Sequence, residues 1–134
     1  MNTYEGKIVR LQSSQQDAFE RLSNLEMLSQ VPTDMLPKQV KNFQADRDHI
    51  SMDVDMLGQV SLNIIEREPC KTIKFEASPS PIPMNLWIQL IEKEGNTYMK
   101  MTAKAEIPFM LKALVGNKAK DALDKISEAI AQRL

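Results

Sequence analysis

The amino-acid sequence predicts an α+β fold, a curved antiparallel sheet of about seven strands wrapped around a long C-terminal helix. Two features carry this prediction. Across residues 40–107 the apolar residues recur with period two, in short runs divided by turn residues. Beyond Pro108 they recur in steps of three and four residues until the end of the chain. A sheet with one apolar face needs a cover, and the final stripe is the only element long enough to supply it.

Residues 4–12 read as the first strand, although Ile8 and Val9 break strict alternation. Ser13 and Ser14 then offer a helix N-cap, and Asp17 places a carboxylate in the first turn, where the helix dipole favours it. Ala18, Leu22, Leu25 and Leu28 mark a helical face, with Phe19 beside them. Asn24 is a natural break, which predicts two short helices. Pro32 ends the segment, and 32–37 is a turn bounded by prolines.

Residues 40–47 form a weaker strand. The next is clear: Ile50, Met52, Val54 and Met56 alternate with Ser51, Asp53 and Asp55, one face dry and the other wet. Leu57-Gly58 turns the chain into a strand with Val60, Leu62 and Ile64 inward. Pro69 punctuates before Ile73, Phe75 and Ala77. The stretch SPSPIP (78–83) lacks three backbone donors and is a loop. A strand carrying Leu86, Ile88 and Leu90 follows, and Gly95-Asn96 makes a hairpin to Met99, Met101, Ala103, Ala105 and Ile107. Pro108 suits the first turn of the last helix. Its apolar stripe runs through Leu111, Leu114, Val115, Ala119, Ala122, Leu123, Ile126, Ile130 and Leu134. Lys120/Asp124 and Asp121/Lys125 stand four residues apart on its other face, and Gly116 marks a kink or a close approach to the sheet.

Composition narrows the function classes. The chain has 134 residues, 43% of them hydrophobic and 26% charged, and a net charge of −1, which fits one globular domain spanning 1–134. That balance gives no electrostatic reason to bind nucleic acid. No apolar run is long enough for a membrane span, and the N-terminus lacks a signal-peptide pattern. Cys70 is the single cysteine, so no internal disulfide can form; together these predict a cytoplasmic protein. Nine Met residues against four Phe, two Tyr and one Trp suit either an adaptable core or an adaptable ligand cavity.

No catalytic constellation, metal site or cofactor motif is readable. His49, the only histidine, follows Asp46-Arg47-Asp48 in a turn and reads as exposed, with no positioned partner for base chemistry. Asp53 and Asp55 share a strand face, but the apolar residues opposite assign them to water. Cys70 has no base or helix N-terminus to activate it. Trp87 has two registers. Outward, with Ile91 and beside Tyr98, it makes a contact surface suited to a homodimer or another protein; inward, with Asn85 and Gln89, it makes polar anchors. The outward register is favoured.

The order of elements, the Ser13-Ser14 entry to a helix around Phe19, the Leu57-Gly58 hairpin, the turn at Glu66 to Pro69 and the closing helix resemble the START-like superfamily, also called SRPBCC. It includes lipid-transfer START domains, birch pollen allergen relatives, polyketide cyclases and coenzyme Q-binding proteins. The chain looks most like its small bacterial members. The resemblance covers nearly the whole chain and implies a helix-grip fold with a cavity between the concave sheet and the last helix. The glycine-rich loop of the pollen allergen branch is missing, since all four glycines are isolated.

The residues then expected to line that cavity are Met52, Val54, Met56, Leu62, Ile64, Ile73, Phe75, Leu86, Ile88, Met99, Met101 and Ala103 from the sheet, and Ala119 and Leu123 from the helix. The 78–83 and 32–37 segments are the expected rims. The function implied is non-catalytic binding of a small apolar or amphipathic, lipid-like ligand. The alternatives are an enzyme of the polyketide cyclase or hydratase kind, and an interaction module like the domain of this fold that activates the heat-shock chaperone.

Overall fold

A computed structural model describes residues 2–30, 38, 40–55, 58–78, 80 and 82–134, the side chains of 27, 28, 30, 111 and 113–117 excepted. The elements run β1 (Asn2–Glu5), β2 (Val9–Leu11), α1 (Gln15–Leu22), a 3-10 helix (Leu25–Gln30), β3 (Val40–Ala45), β4 (His49–Val54), β5 (Gly58–Glu68), β6 (Thr72–Ala77), β7 (Met84–Lys93), β8 (Asn96–Ala105) and α2 (Phe109–Arg133). All pairings are antiparallel, in the order β1-β8-β7-β6-β5-β4-β3, with β2 also on β8.

Among the described residues the sheet has eight strands, one more than the alternation predicts, because the first strand is split. Tyr4 pairs with Ala103 and Val9 with Met99, so both pieces follow β8 while Gly6, Lys7 and Ile8 loop out between them. The misfit of Ile8 and Val9 was the signal: Ile8 is 64% exposed, whereas Val9 is buried. Gly6 crosses under α2 at a point where a Cβ would stand 3.1 Å from Leu123 Cβ.

The two-helix prediction is also modified. Ser14 caps α1 by accepting from the Asp17 amide at 3.1 Å, and α1 stops after Leu22. The second piece is a 3-10 helix, not an α-helix; Asn24 Oδ1 accepts from the Glu26 amide, the side-chain-to-backbone competition that makes Asn a breaker. Ala18, Leu22 and Leu25 are buried in the core. At the β7–β8 turn the two loop residues are Glu94 and Gly95, with φ of 53° and 79°, and Asn96 already belongs to β8 opposite Lys93. Positive φ at both positions is the geometry that matches strand twist in a two-residue hairpin.

Two bulges bend the strands. Lys41 to Gln44 shifts register around Asn42, whose φ is 52°, and Ile65 is the extra residue between the Ile64–Phe75 and Glu66–Lys74 pairs. Such insertions increase local twist, which curls this sheet toward α2. The 25-residue helix is roughly 37 Å long. It packs on β1, β2 and β8. Phe109 and Met110, at its start, are each 86% exposed. Of the two predicted charge pairs, Lys120–Asp124 closes at 2.9 Å, but Asp124 faces the β1–β2 break and not the solvent side that the spacing predicted. Among the described residues no helix is long and apolar enough to cross a membrane.

Candidate functional site

The concave face of the sheet is packed unevenly. Toward the β2 side, Val9, Leu11, Ala18, Ile73, Leu90 and Met99 form a closed core, with Ile73 and Met99 fully buried. Toward the other end, α2 stands off the sheet and leaves a pocket of about 190 Å³. The reason is the way the helix docks. It is held to the β1–β2 break by the Lys7 amide, which donates to Asp124 Oδ1 at 2.7 Å, and by the ion pair of Lys7 with Glu128. Strands β3, β4 and β5 reach the same pocket through Val40, Met52, Val54, Val60 and Leu62, where the helix contributes the small side chains Ala119 and Ala122. Small residues facing Met and Val leave space that side chains do not fill.

Met52, Val54, Leu62, Leu86, Met101 and Ala103 line this pocket from the sheet, and Ala119 and Leu123 from the helix. Phe75 and Ile88 instead border a second space of about 60 Å³, nearer α1, which shares Met52, Leu62, Leu86, Met101 and Ile126 with the first. Three expected residues border neither. Ile73 and Met99 lie at the filled end, because they sit opposite the strands that α1 and β2 cover, and Ile64 packs half-buried against the core beside the Ile65 bulge. Met56 and the 32–37 segment fall outside the described residues.

The expected lining left out Tyr4, Val40, Val60, Ile82, Met84, Ala105, Ile107, Ala122 and Ile126, all of which line the larger pocket. Most of these had a signal. Ala105 and Ile107 continue the inward alternation of β8, and Ala122 and Ile126 lie on the helix stripe. Tyr4 had none, since its inward direction depends on pairing with Ala103. Ile82 is buried at the end of the proline-rich loop, against Ala105 and Ile107.

The pocket wall is almost wholly carbon. Its polar members are Tyr4, Asp55 and Lys118. Asp55 and Lys118 are exposed, so their charged ends lie at the mouth, between α2 and the β4–β5 end of the sheet. Asp55 is 3.5 Å from Lys41 Nζ. Lys118 belongs to none of the ion pairs among the described residues.

The remaining sequence candidates lie elsewhere. His49 is exposed at the β3–β4 turn, its Nδ1 3.1 Å from Asp46 Oδ1. Asp53 accepts from Asn42 Nδ2 at 2.6 Å across the β3–β4 pair. Cys70 occupies the β5–β6 turn with φ of 63°, where its carbonyl accepts from Gln15 Nε2. Trp87 faces the outer side of the sheet, with Leu86 and Ile88 buried on either side of it. Lys74 and Lys104 place their ammonium groups 5.4 and 5.6 Å from its ring centroid. The half-buried indole is therefore covered locally by cation–π contacts, and Ile91, 57% exposed opposite Tyr98, is the apolar residue left open there. Among the described residues, no three His, Cys, Asp or Glu side chains gather as metal ligands would.

No family model matches the chain, and no curated protein does. Solved structures do. A START superfamily protein from Mycobacterium smegmatis is 13% identical, with a TM-score of 0.63 over 98% of this chain and 95% of its own. A protein from Thermus thermophilus is 13% identical, with a TM-score of 0.70 over 98% and 96%. Norcoclaurine synthase from Thalictrum flavum is 11% identical, with a TM-score of 0.68 over 98% and 85%. At such identities the likeness concerns architecture alone. The chain has a START-like fold.

Proposed function

We propose that this is a cytoplasmic protein that holds a small apolar or amphipathic, lipid-like molecule between the sheet and α2, without covalent chemistry. The observation that carries this reading is the wall of the pocket, nearly all carbon, with its two charged members, Asp55 and Lys118, exposed to water. An enzyme on this fold needs polar groups converging on the reacting atoms. Norcoclaurine synthase is an enzyme, so the architecture permits catalysis; the wall chemistry is what argues against it here.

The volume sets the ligand size. About 190 Å³ exceeds the cavity of about 150 Å³ that accepts benzene in an engineered protein, so one ring or a chain of roughly eight carbons suits it. Each buried methylene contributes about 0.8 kcal/mol, and the loss of ligand freedom offsets part of the total. Affinities of roughly 0.01–1 mM follow.

Native mass spectrometry of protein purified from its own host, without detergent, should show a non-covalent apolar adduct that Ala122→Trp abolishes. Absence of any adduct, together with no heat of binding for 1-octanol, would refute the reading.

A second reading, homodimer formation or partner capture through the outer face, is favoured by exposed Ile91 beside Tyr98. Sedimentation of the Ile91→Lys protein against wild type tests it, and an unchanged monomer in both would remove it.

A further inference from the structure

The mouth of the pocket carries an uneven set of charges, and from it we infer that the ligand is a monocarboxylate whose tail lies under α2 and whose head group meets Lys118. This deepens the binding reading above and rests on it. Among the described residues two charged side chains border the pocket, Asp55 and Lys118, and Lys41 stands beside Asp55. Asp55 borders the pocket but is already neutralised by Lys41 at 3.5 Å, across the β3–β4 end of the sheet. Lys118 borders the pocket from α2 and belongs to none of the ion pairs among the described residues. Among the described residues the sum is one uncompensated positive charge beside an opening into hydrocarbon.

The position of Lys118 on the helix explains how one residue serves both functions. Ala119 and Ala122 follow it on the face that borders the pocket. Its own side chain lies at the flank of that face, so the four-carbon stem extends the apolar wall while the exposed ammonium stays in water. An amphiphile entering between α2 and β4–β5 buries its tail against the Ala residues. Its head group then stops where the carbon wall ends, within reach of that ammonium. A cationic head group would meet Lys118 and Lys41 in the same place and find Asp55, the counter-charge there among the described residues, already taken. A neutral head group would gain nothing from Lys118. The charge therefore selects an anion, and the pocket's volume, about 190 Å³, selects a short tail or a single ring. A chain of about eight carbons fits this volume.

The test uses sodium octanoate and 1-octanol, which share a tail and differ in the head, titrated calorimetrically into the full-length protein. Lys118→Met keeps the stem and removes the charge, and Lys118→Arg keeps the charge. Octanoate should bind about three- to tenfold more weakly to Lys118→Met than to wild type, with Lys118→Arg near wild type and octanol unchanged throughout. Octanoate binding to wild type should weaken with added sodium chloride and octanol binding should not. If octanol and octanoate both bind and Lys118→Met alters neither, the head-group assignment is overturned while the apolar pocket reading stands. If neither binds wild type, both are overturned. An unchanged melting temperature for both variants ties any loss to the lost charge and not to the fold.

Discussion

The backbone amide of Lys7 donates to Asp124 Oδ1 at 2.7 Å, and this bond joins the gap between the first two strands to the middle of the last helix. Lys120 Nζ approaches the other carboxylate oxygen at 2.9 Å. One carboxylate thus fastens α2 to the sheet at the point from which the far side of the helix diverges to leave the pocket.

Replacing Asp124 with Ala should lower stability by about 1 kcal/mol in chemical denaturation at neutral pH. The pH dependence has a definite sign. Partial burial pushes this carboxyl up, but hydrogen bonds from Lys120 and the Lys7 amide, with the positive charges of both lysines, outweigh it and hold the group below its ordinary 3.8. A folded value below the unfolded one means the contribution is complete above the unfolded value and is lost as pH falls through the folded one. Wild type and Asp124→Asn should therefore differ near neutrality and converge only once the pH has fallen below the folded value, itself below the ordinary 3.8.

Gly6 is where the chain passes closest to α2. An added Cβ would lie 3.1 Å from Leu123 Cβ and 3.5 Å from both the carbonyl carbon and oxygen of Leu123, which are helix backbone and yield only if the helix moves. Gly6→Ala should destabilise by about 1–2 kcal/mol, the range for overpacking. It should also change uptake of 1-octanol, because the displaced element is one wall of the pocket. An unaltered melting temperature would show that the helix accommodates the methyl group.

Core and pocket should respond oppositely to a change in volume. Phe75 is 1% exposed in the core, and Phe75→Ala should cost about 3–5 kcal/mol. Ala122→Leu adds volume where space exists, and should raise stability by about 0.5–2 kcal/mol while abolishing ligand uptake. A destabilised Ala122→Leu protein would mean that the space is not available to a side chain.

Ser127 is fully buried on α2, and its hydroxyl has no hydrogen-bond partner among the described residues. Ser127→Ala removes an unsatisfied buried group and installs a better helix former, so stability should rise by about 1 kcal/mol. Loss of stability in thermal melts would indicate that the hydroxyl bonds to the helix backbone.

Much of the fold could be read from spacing. The alternation through Ile50, Met52 and Val54, or through Met99, Met101 and Ala103, specifies both strands and the face each buries, because a strand's side chains have a fixed period. The split at Gly6 to Ile8 was visible only as a misfit, since a bulge is defined by the partner strand. Trp87 was open between two registers for the same kind of reason. Its neighbours Leu86 and Ile88 are apolar on either side, and the outward direction is settled by Lys74 and Lys104, which belong to other strands.

By itself the sequence determined the succession of elements, the inward face of each central strand and the amphipathic helix that covers them, because these follow from local geometry and the burial of apolar surface. Only the tertiary structure decided which inward residues meet empty space and which meet one another. Ile73 and Met101 are equally apolar and equally inward; one lies in solid core and the other borders a pocket. The difference arises from where α2 is tied down. That is set by Lys7 and Asp124, 117 positions apart, a relation that no periodicity records.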